Sequence, residues 1–432
     1  MAELQQALQK RFTCVNNKPK IAFIQFPGSN TENETVATIE RNNMLAVPHF
    51  WNDPLSQLRA CDGCVILGGF SYEDRSRSGI IASLDPIMEE VKRAVALGKP
   101  VLGICNGAQI LVESGIVPGN ESLGTIVGLT QNKRVQNGQI VGTGYFNTWC
   151  HIKPNQKSRS AFIGKNDGSV LNVPLAHAEG RFVMSKKLSD TIKKNNLATY
   201  CYCTENGELV SDFPTNPNGS IDNIAALGNL PGNAMAIMPH PERTIRGEGD
   251  AIFKAMNKYI IQESDYSYRA LKYAAKKIAV SPFEKNPKTK EIIISMIIAD
   301  NEAGSVEKCV QKLGADTTVK RYIHFEIEAD KNMNLKDVYK TDVLFNPSKE
   351  FMVELDNTNE TKRFLVREKE NIEGRRIKEV LQKRFGFDKI KNVQKGVVWE
   401  IASKKNQLKK DVDLIINSHI LSNPISQVCH EY

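Results

Sequence analysis

The sequence has no long hydrophobic run. Its apolar stretches break within about ten residues, and a helix needs about 20 to cross a bilayer, so neither a membrane span nor a membrane partner is expected. The first twenty residues lack the apolar core and small-residue cleavage site of a secretory leader. Nine cysteines, an odd number, stand at no framework spacing, which fits free thiols in a reducing cytoplasm. Cys61-Asp-Gly-Cys64 has the C-x-x-C form, but no second pair completes a zinc site, and no metal centre is expected. Cys201 and Cys203 alternate as core residues on one face of a strand do. The net charge is +8, yet the lysines crowd into the last third among acids. No basic run is interleaved with aromatics, so a nucleic-acid partner is not expected. A Gly-x-x-x-x-Gly-Lys-Ser/Thr phosphate loop is also missing.

What is present describes a globular protein of two or three domains: 432 residues, 41% hydrophobic and 25% charged. Residues 1–19 read as a polar extension. From Ile21 onward apolar strands alternate with helices: strand Ile21–Phe26, helix Thr31–Asn43, strand Cys64–Leu67, helix Asp85–Leu97 and strand Val101–Ile104. Such alternation predicts an α/β domain with a mostly parallel sheet, here over residues 20–264. Ligands in such folds bind beyond the carboxyl ends of strands. Three glycine-bearing loops fall there: Pro27-Gly28, Gly68-Gly69 and Cys105-Asn106-Gly107. Residues 265–289 read as a helix, Tyr266–Ala279, and a linker with Pro282 and Pro287. Two small α+β repeats follow, over 290–356 and 362–432. Gln311-Lys312 answers Gln382-Lys383, Phe325-Glu326 answers Trp399-Glu400, and Asn346-Pro347 answers Asn423-Pro424.

The chemistry centres on Val101-Leu-Gly-Ile-Cys105-Asn-Gly-Ala-Gln109. A buried strand running through one cysteine into an apolar helix has the G-x-C-x-G form of a nucleophile elbow. The turn lifts the side chain clear of the backbone, and the helix N-terminus favours the thiolate. A cysteine nucleophile needs a base and an orienting acid. His240 and Glu242 follow a later strand, Ala234–Met238, and the flanking prolines are expected to hold the segment extended, with both side chains on one side. Cys105 would attack an amide carbonyl to form a thioester, His240 would move the proton, and Glu242 would fix the imidazole tautomer. Backbone N–H groups of Asn106 and Gly69 are the expected oxyanion donors.

These residues resemble the class I, or triad, glutamine amidotransferases, through Gly103–Leu111 and Met238–Arg243. Within that class the likeness is to the glutaminase subunits of phosphoribosylformylglycinamidine synthases, of purine biosynthesis. Phe26-Pro-Gly-Ser-Asn30, Gly68-Gly-Phe-Ser-Tyr-Glu-Asp-Arg75, Pro174-Leu-Ala-His-Ala-Glu-Gly180 and Asn216-Pro-Asn-Gly-Ser220 carry it, over roughly residues 20–262. Leu67 stands where proline is usual, Glu73 where glycine is usual, and Ser78 where cysteine is frequent. The resemblance implies a flavodoxin-like domain that hydrolyses glutamine to glutamate and ammonia. Phe70, Ser71, Gln109, His177 and Glu179 are candidate substrate-binding residues. His177 and Glu179 fit the glutamine site, a subunit contact or a structural turn.

The last third resembles the small third subunit of the same synthases, through Ile372–Phe387, Lys395–Ile401 and Asn423-Pro-Ile425. The resemblance implies two copies of that subunit in tandem, bridging the glutaminase to a separate large synthetase subunit. No cofactor is expected in this chain; ATP and magnesium would be used by that large subunit. A glutaminase of another pathway and a non-catalytic scaffold of the synthase are the alternatives, and for the last third an unrelated α+β regulatory module.

Overall fold

The computed structural model describes residues 11–14, 18–165, 167–263, 266–331, 333–356, 360–404 and 407–432. The chain divides into two compact units, Met1–Lys276 and Lys277–Tyr432.

Among its described residues, thirteen strands run through the first unit. In chain order they are β1 (Lys20–Gln25), β2 (Leu45–Phe50), β3 (Gly63–Ile66), β4 (Val101–Ile104), β5 (Gly128–Thr130), β6 (Lys133–Gln136), β7 (Gln139–Thr143), β8 (Phe146–Pro154), β9 (Leu171–His177), β10 (Arg181–Val183), β11 (Ala198–Cys203), β12 (Ile224–Gly228) and β13 (Ala234–Ile237). Nine form one sheet, ordered β2-β1-β3-β4-β13-β12-β11-β8-β9. Pairings from β2 to β13 are parallel, and those from β13 to β9 are antiparallel. The expected parallel sheet is thus one half of a mixed sheet. The two halves differ in sequence for a physical reason. Every residue of β3, β4 and β13 is buried, so those strands are continuous apolar runs. In β8 and β9 buried residues alternate with exposed or half-exposed ones, as in strands with one solvated face.

Helix Asn106–Glu113 is seated directly on β3 and β4. A Cβ on Gly107 would stand 2.1 Å from the Ile66 carbonyl oxygen, and one on Gly103 would stand 2.4 Å from that of Gly107. No side chain fits either gap, and that closeness fixes where the elbow sits.

Two segments differ from expectation. Residues 1–10 and 15–17 of the polar extension lie outside the described residues, but Phe12 is buried in the core and the Thr13 N–H donates to Asp62 Oδ1 at 2.5 Å. Tyr266–Ala279 is not a helix but an extended strap. Tyr266 Oη donates to the Val95 carbonyl (2.6 Å), and the Leu271 N–H to that of Gly119 (2.9 Å). The Tyr273 carbonyl accepts from Asn120 Nδ2 (3.0 Å). Individual side chains peg the strap down while the body of the unit bonds its backbone at Leu271 and Tyr273, and this outweighs its helical spacing.

Among its described residues the second unit has seven strands: β14 (Val280–Pro282), β15 (Thr289–Met296), β16 (Thr317–Ala329), β17 (Glu350–Met352), β18 (Thr361–Glu368), β19 (Ile390–Ser403) and β20 (Gln427–Glu431). They form one sheet, ordered β14-β20-β18-β19-β16-β15-β17. The expected linker therefore contains a strand. Outward from the central antiparallel pair β16–β19, the first copy gives β15 then β17, and the second gives β18 then β20. The copies share a core: Ile292, Phe325 and Ile327 of the first pack with Ile377, Leu381 and Val393 of the second. Arg367 bonds Glu326 across the copies at 2.8 Å.

Leu271 is 3% exposed. Leu271→Ala is expected to lower the unfolding free energy of the first unit by about 2–5 kcal/mol in chemical denaturation; a strap lying loosely on the surface would give no measurable change.

Candidate active site

Cys105 joins β4 to helix Asn106–Glu113 with φ +52° and ψ −105°. A non-glycine residue pays on the order of 1–3 kcal/mol for such a backbone. The Cys105 N–H is held by the Ile237 carbonyl of β13 at 2.8 Å, and its carbonyl accepts from Ala108 and Gln109 at 3.0 and 3.1 Å. The sulfur is buried, 3.9 Å from the Ala176 carbonyl of β9.

His240 follows β13. Its N–H donates to the Pro174 carbonyl of β9 (2.8 Å), and its Nδ1 lies 2.7 Å from Glu242 Oε1. Both side chains are buried. The segment is not extended as expected, because Pro241–Arg243 forms a 3₁₀ turn with Pro241 at its first position. The Thr244 hydroxyl closes that turn by donating to the Pro241 carbonyl (2.9 Å) and accepting from the Gly249 N–H (2.9 Å). Gly68 lies between sulfur and imidazole: a Cβ there would stand 3.0 Å from His240 Cε1 and 3.5 Å from Cys105 Cβ. Burial pulls the His240 pKa down, but the Glu242 carboxylate and the Cys105 sulfur, each a charge and a hydrogen-bond partner, outweigh it and raise it. Cys61 and Cys64 are pushed up to about 11 and about 12 by burial, as inert core thiols are.

The amides of Gly69 and Asn106 donate to no protein acceptor among the described residues. Gly69 has φ +131°, and its backbone presses on residues 28–30, where a Cβ would stand 2.5 Å from the Gly28 carbonyl oxygen. The two loops are clamped by the Phe70 N–H to Gly28 (2.9 Å), the Tyr72 N–H to Pro27 (2.7 Å) and the Asn30 N–H to Gly68 (3.1 Å). The Asn106 side chain ties this loop to the elbow. Its Oδ1 accepts from the Ser71 N–H (3.0 Å), and its Nδ2 donates to Asp74 Oδ1 (3.2 Å) and Gln109 Oε1 (2.9 Å). Gln109 Nε2 in turn donates to the Glu179 carbonyl at 2.7 Å.

The structure therefore gathers Cys105, His240, Glu242, Gly69, Asn106, Ser71, Gln109 and Glu179. His177 lies beside them, buried, with neither ring nitrogen hydrogen-bonded. Burial and then the charge of His240 hold it at about 3, so its ring is neutral. Phe70, on the same loop, has its side chain half exposed. Sequence reasoning missed Asp74, Thr31 and Asn132. Asp74 lay inside the Gly68–Arg75 segment but had no assigned role. Thr31 Oγ1 accepts from the Gly68 N–H (3.1 Å). Asn132, with no local signal, braces the His177–Gly180 turn by donating to the His177 carbonyl (2.7 Å) and accepting from the Gly180 N–H (3.0 Å). Among the described residues no group of His, Cys, Asp and Glu is arranged to hold a metal ion.

Each sequence departure has a local account. Leu67 donates its N–H to the Ile24 carbonyl (3.3 Å), a bond proline cannot make. Glu73 takes φ +59°, a conformation suited to the usual glycine, and pairs with Arg75 at the surface (2.8 Å). Ser78 donates to Glu179 Oε2 at 2.8 Å.

Asp74 is pushed up to about 7, by burial first and then by Glu179. A carboxyl raised on folding keeps its proton where the unfolded chain has lost it, so it lowers stability as pH rises from about 4 to about 7. Asp74→Asn is expected to stabilise the first unit at pH 8 by at most about 4 kcal/mol. Denaturation at a series of pH values checks this, since the advantage should vanish towards pH 4.

Residues 18–270 match the CobB/CobQ-like glutamine amidotransferase domain family. The phosphoribosylformylglycinamidine synthase subunit PurQ of Methanothrix thermoacetophila is 40% identical over 259 residues, covering 56% of this chain and 98% of the relative. The subunit of the same name from Methanocaldococcus jannaschii is 37% identical over 245 residues, covering 56% of this chain and 98% of the relative. A chain in the structure of PurLQS from Thermotoga maritima is 26% identical, with a TM-score of 0.44, covering 56% of this chain and 99% of that one.

Proposed function

The chain belongs to the CobB/CobQ-like glutamine amidotransferase family, and from that premise we propose that it is the glutaminase component of a phosphoribosylformylglycinamidine synthase. Its relatives' names support the pathway. The observation that carries the chemistry is the buried His240–Glu242 pair, 2.7 Å apart, set against Cys105 at a strained elbow.

His240 takes the Cys105 proton as the sulfur attacks the side-chain amide carbon of glutamine. Glu242 holds Nδ1 and stabilises the imidazolium, which leaves Nε2 for the sulfur. The oxyanion is received by the free amides of Gly69 and Asn106. Collapse of the tetrahedral adduct breaks the carbon–nitrogen bond, His240 protonates the departing nitrogen, and ammonia leaves a glutamyl thioester on Cys105. Water, deprotonated by His240, then releases glutamate and restores the thiol. Ser71, Gln109, His177 and Glu179 shape the glutamine pocket, with Phe70 at its rim.

The ammonia is used in the cytoplasm by a separate large synthetase subunit, which spends ATP with magnesium to turn formylglycinamide ribonucleotide into formylglycinamidine ribonucleotide. The second unit bridges the two subunits. The tandem symmetry of its sheet supports this, because two linked copies present two related binding surfaces. Among the described residues no helix is long and apolar enough to cross a membrane.

Cys105→Ala is expected to reduce glutamine-dependent synthesis by about 10⁴-fold or more and to leave ammonia-dependent synthesis intact. Persistence of the glutamine-dependent rate would exclude Cys105 as nucleophile. Removal of residues 277–432 is expected to abolish co-purification with the synthetase while the first unit keeps its unfolding transition.

A further inference from the structure

The two ends of the seven-stranded sheet are equivalent by repeat but unequally covered. Ile292 faces Phe325 in the first copy as Phe364 faces Trp399 in the second. One strand further out, Ile294↔Met352 corresponds to Val366↔Cys429, and Ser295↔Phe351 to Arg367↔Val428. β17 thus holds the place in the first copy that β20 holds in the second.

β20 does not end its side of the sheet. β14 runs parallel along its outer edge, with Val280 opposite Cys429 and Pro282 opposite Glu431, and the Phe283 N–H donates to the Glu431 carbonyl at 2.8 Å. Among the described strands none lies outside β17. The consequence shows at equivalent positions: Cys429 is 2% exposed and Met352 is 46% exposed. Phe351 is also exposed, as are Ile297 and Ile298 just past β15, so the open edge carries four large apolar side chains.

The backbone is available too. The Val353 N–H donates to the Ile293 carbonyl (2.9 Å) and the Ile297 N–H to that of Lys349 (2.8 Å), so residues 349, 351 and 353 turn inward. By the alternation of an antiparallel ladder, Met352 turns its N–H and carbonyl outward.

We propose that the outer edge of β17 is a docking site for one extended segment of the partner synthetase, added parallel to β17 as β14 is added to β20. This rests on the glutaminase reading above. The edge specifies the segment's chemistry: an uncharged β-branched or apolar residue opposite Met352, as Val280 stands opposite Cys429. A second apolar or aromatic residue follows three positions on, as Phe283 does, landing near Leu355, the repeat equivalent of Tyr432. Main-chain bonds supply affinity and the alternate side chains supply selectivity. A second copy of this chain would instead bring β17 against β17 in antiparallel, for which the covered end offers no precedent.

The large synthetase subunit is itself the probe, bound to the full-length chain and followed by calorimetry and amide hydrogen exchange. Binding is expected to slow exchange at Met352 and Glu354. Met352→Pro, which deletes the outward N–H, and Met352→Lys, which sets a charge against the incoming apolar residue, should each weaken affinity at least tenfold, whereas Met352→Val should preserve it. Fluorescence of the buried Trp399 verifies that the second unit is folded in each variant, and the exchange measurement on the unaltered chain needs no substitution. Full affinity in both Met352→Pro and Met352→Lys, or unchanged exchange over residues 350–355, overturns the edge and leaves the glutaminase reading standing. No binding by the unaltered chain overturns both. Concentration-dependent protection of the same amides without synthetase, with a doubled mass, assigns the edge to a second copy and overturns the proposal.

Discussion

The left-handed backbone of Cys105 is the constraint on which the first unit depends. A strand that continued straight would keep the sulfur within the sheet, and a helix that began earlier would turn it aside. The φ of +52° is tolerated because its surroundings leave no alternative. Gly103 and Gly107 let the helix lie against β3 and β4, and Ile237 of β13 holds the cysteine amide. That same strand, three residues later, delivers His240, so one register sets both nucleophile and base. The Asn106 side chain extends the constraint to the Gly68–Asp74 loop, whose own backbone is left-handed at Tyr72, Glu73 and Asp74. Strain at the elbow and strain in the loop meet at one buried amide.

Much of this was legible in the residues. The elbow, the later His-x-Glu and the Gly-Gly loop each followed an apolar strand, and the structure brings all three to the same end of the parallel half. The antiparallel half was harder to read, because β8 and β9 bury one face and their spacing does not reveal their partners. The strap at Tyr266–Ala279 misled for a related reason. Its apolar residues have helical spacing, but they are used one at a time as pegs, and only the shape of the surface beneath decides that. The turn at Pro241 was misjudged locally, since proline suits the first position of a 3₁₀ turn as well as an extended segment. Asn132 was invisible because its role is to satisfy backbone groups more than forty residues away.

The second unit shows the opposite balance. Few of its residues signalled chemistry; Phe325-Glu326 and Trp399-Glu400, which answer one another in the sequence, lie on the central strands β16 and β19. Pairing β16 with β19 makes the two copies one sheet, and the shared core explains why neither would be expected to fold alone: Ile377, Leu381 and Val393 close the hydrophobic cluster begun by Ile292 and Phe325. Loss of one copy would expose that cluster and leave Glu326 without Arg367.

A tandem arrangement also differs from two separate chains in what it allows to change. In a symmetric pair of identical chains every substitution occurs twice, once on each side of the axis. Here the sides have drifted apart. Glu291, His324 and Tyr432 form a hydrogen-bonded cluster beside Arg367 on one side, with Glu291 Oε1 2.7 Å from His324 Nε2 and 2.8 Å from Tyr432 Oη. Their repeat counterparts are Arg363, Val398 and Leu355, which cannot build the same cluster. Joining the copies in one chain therefore frees each half to specialise, and it fixes their ratio at one to one.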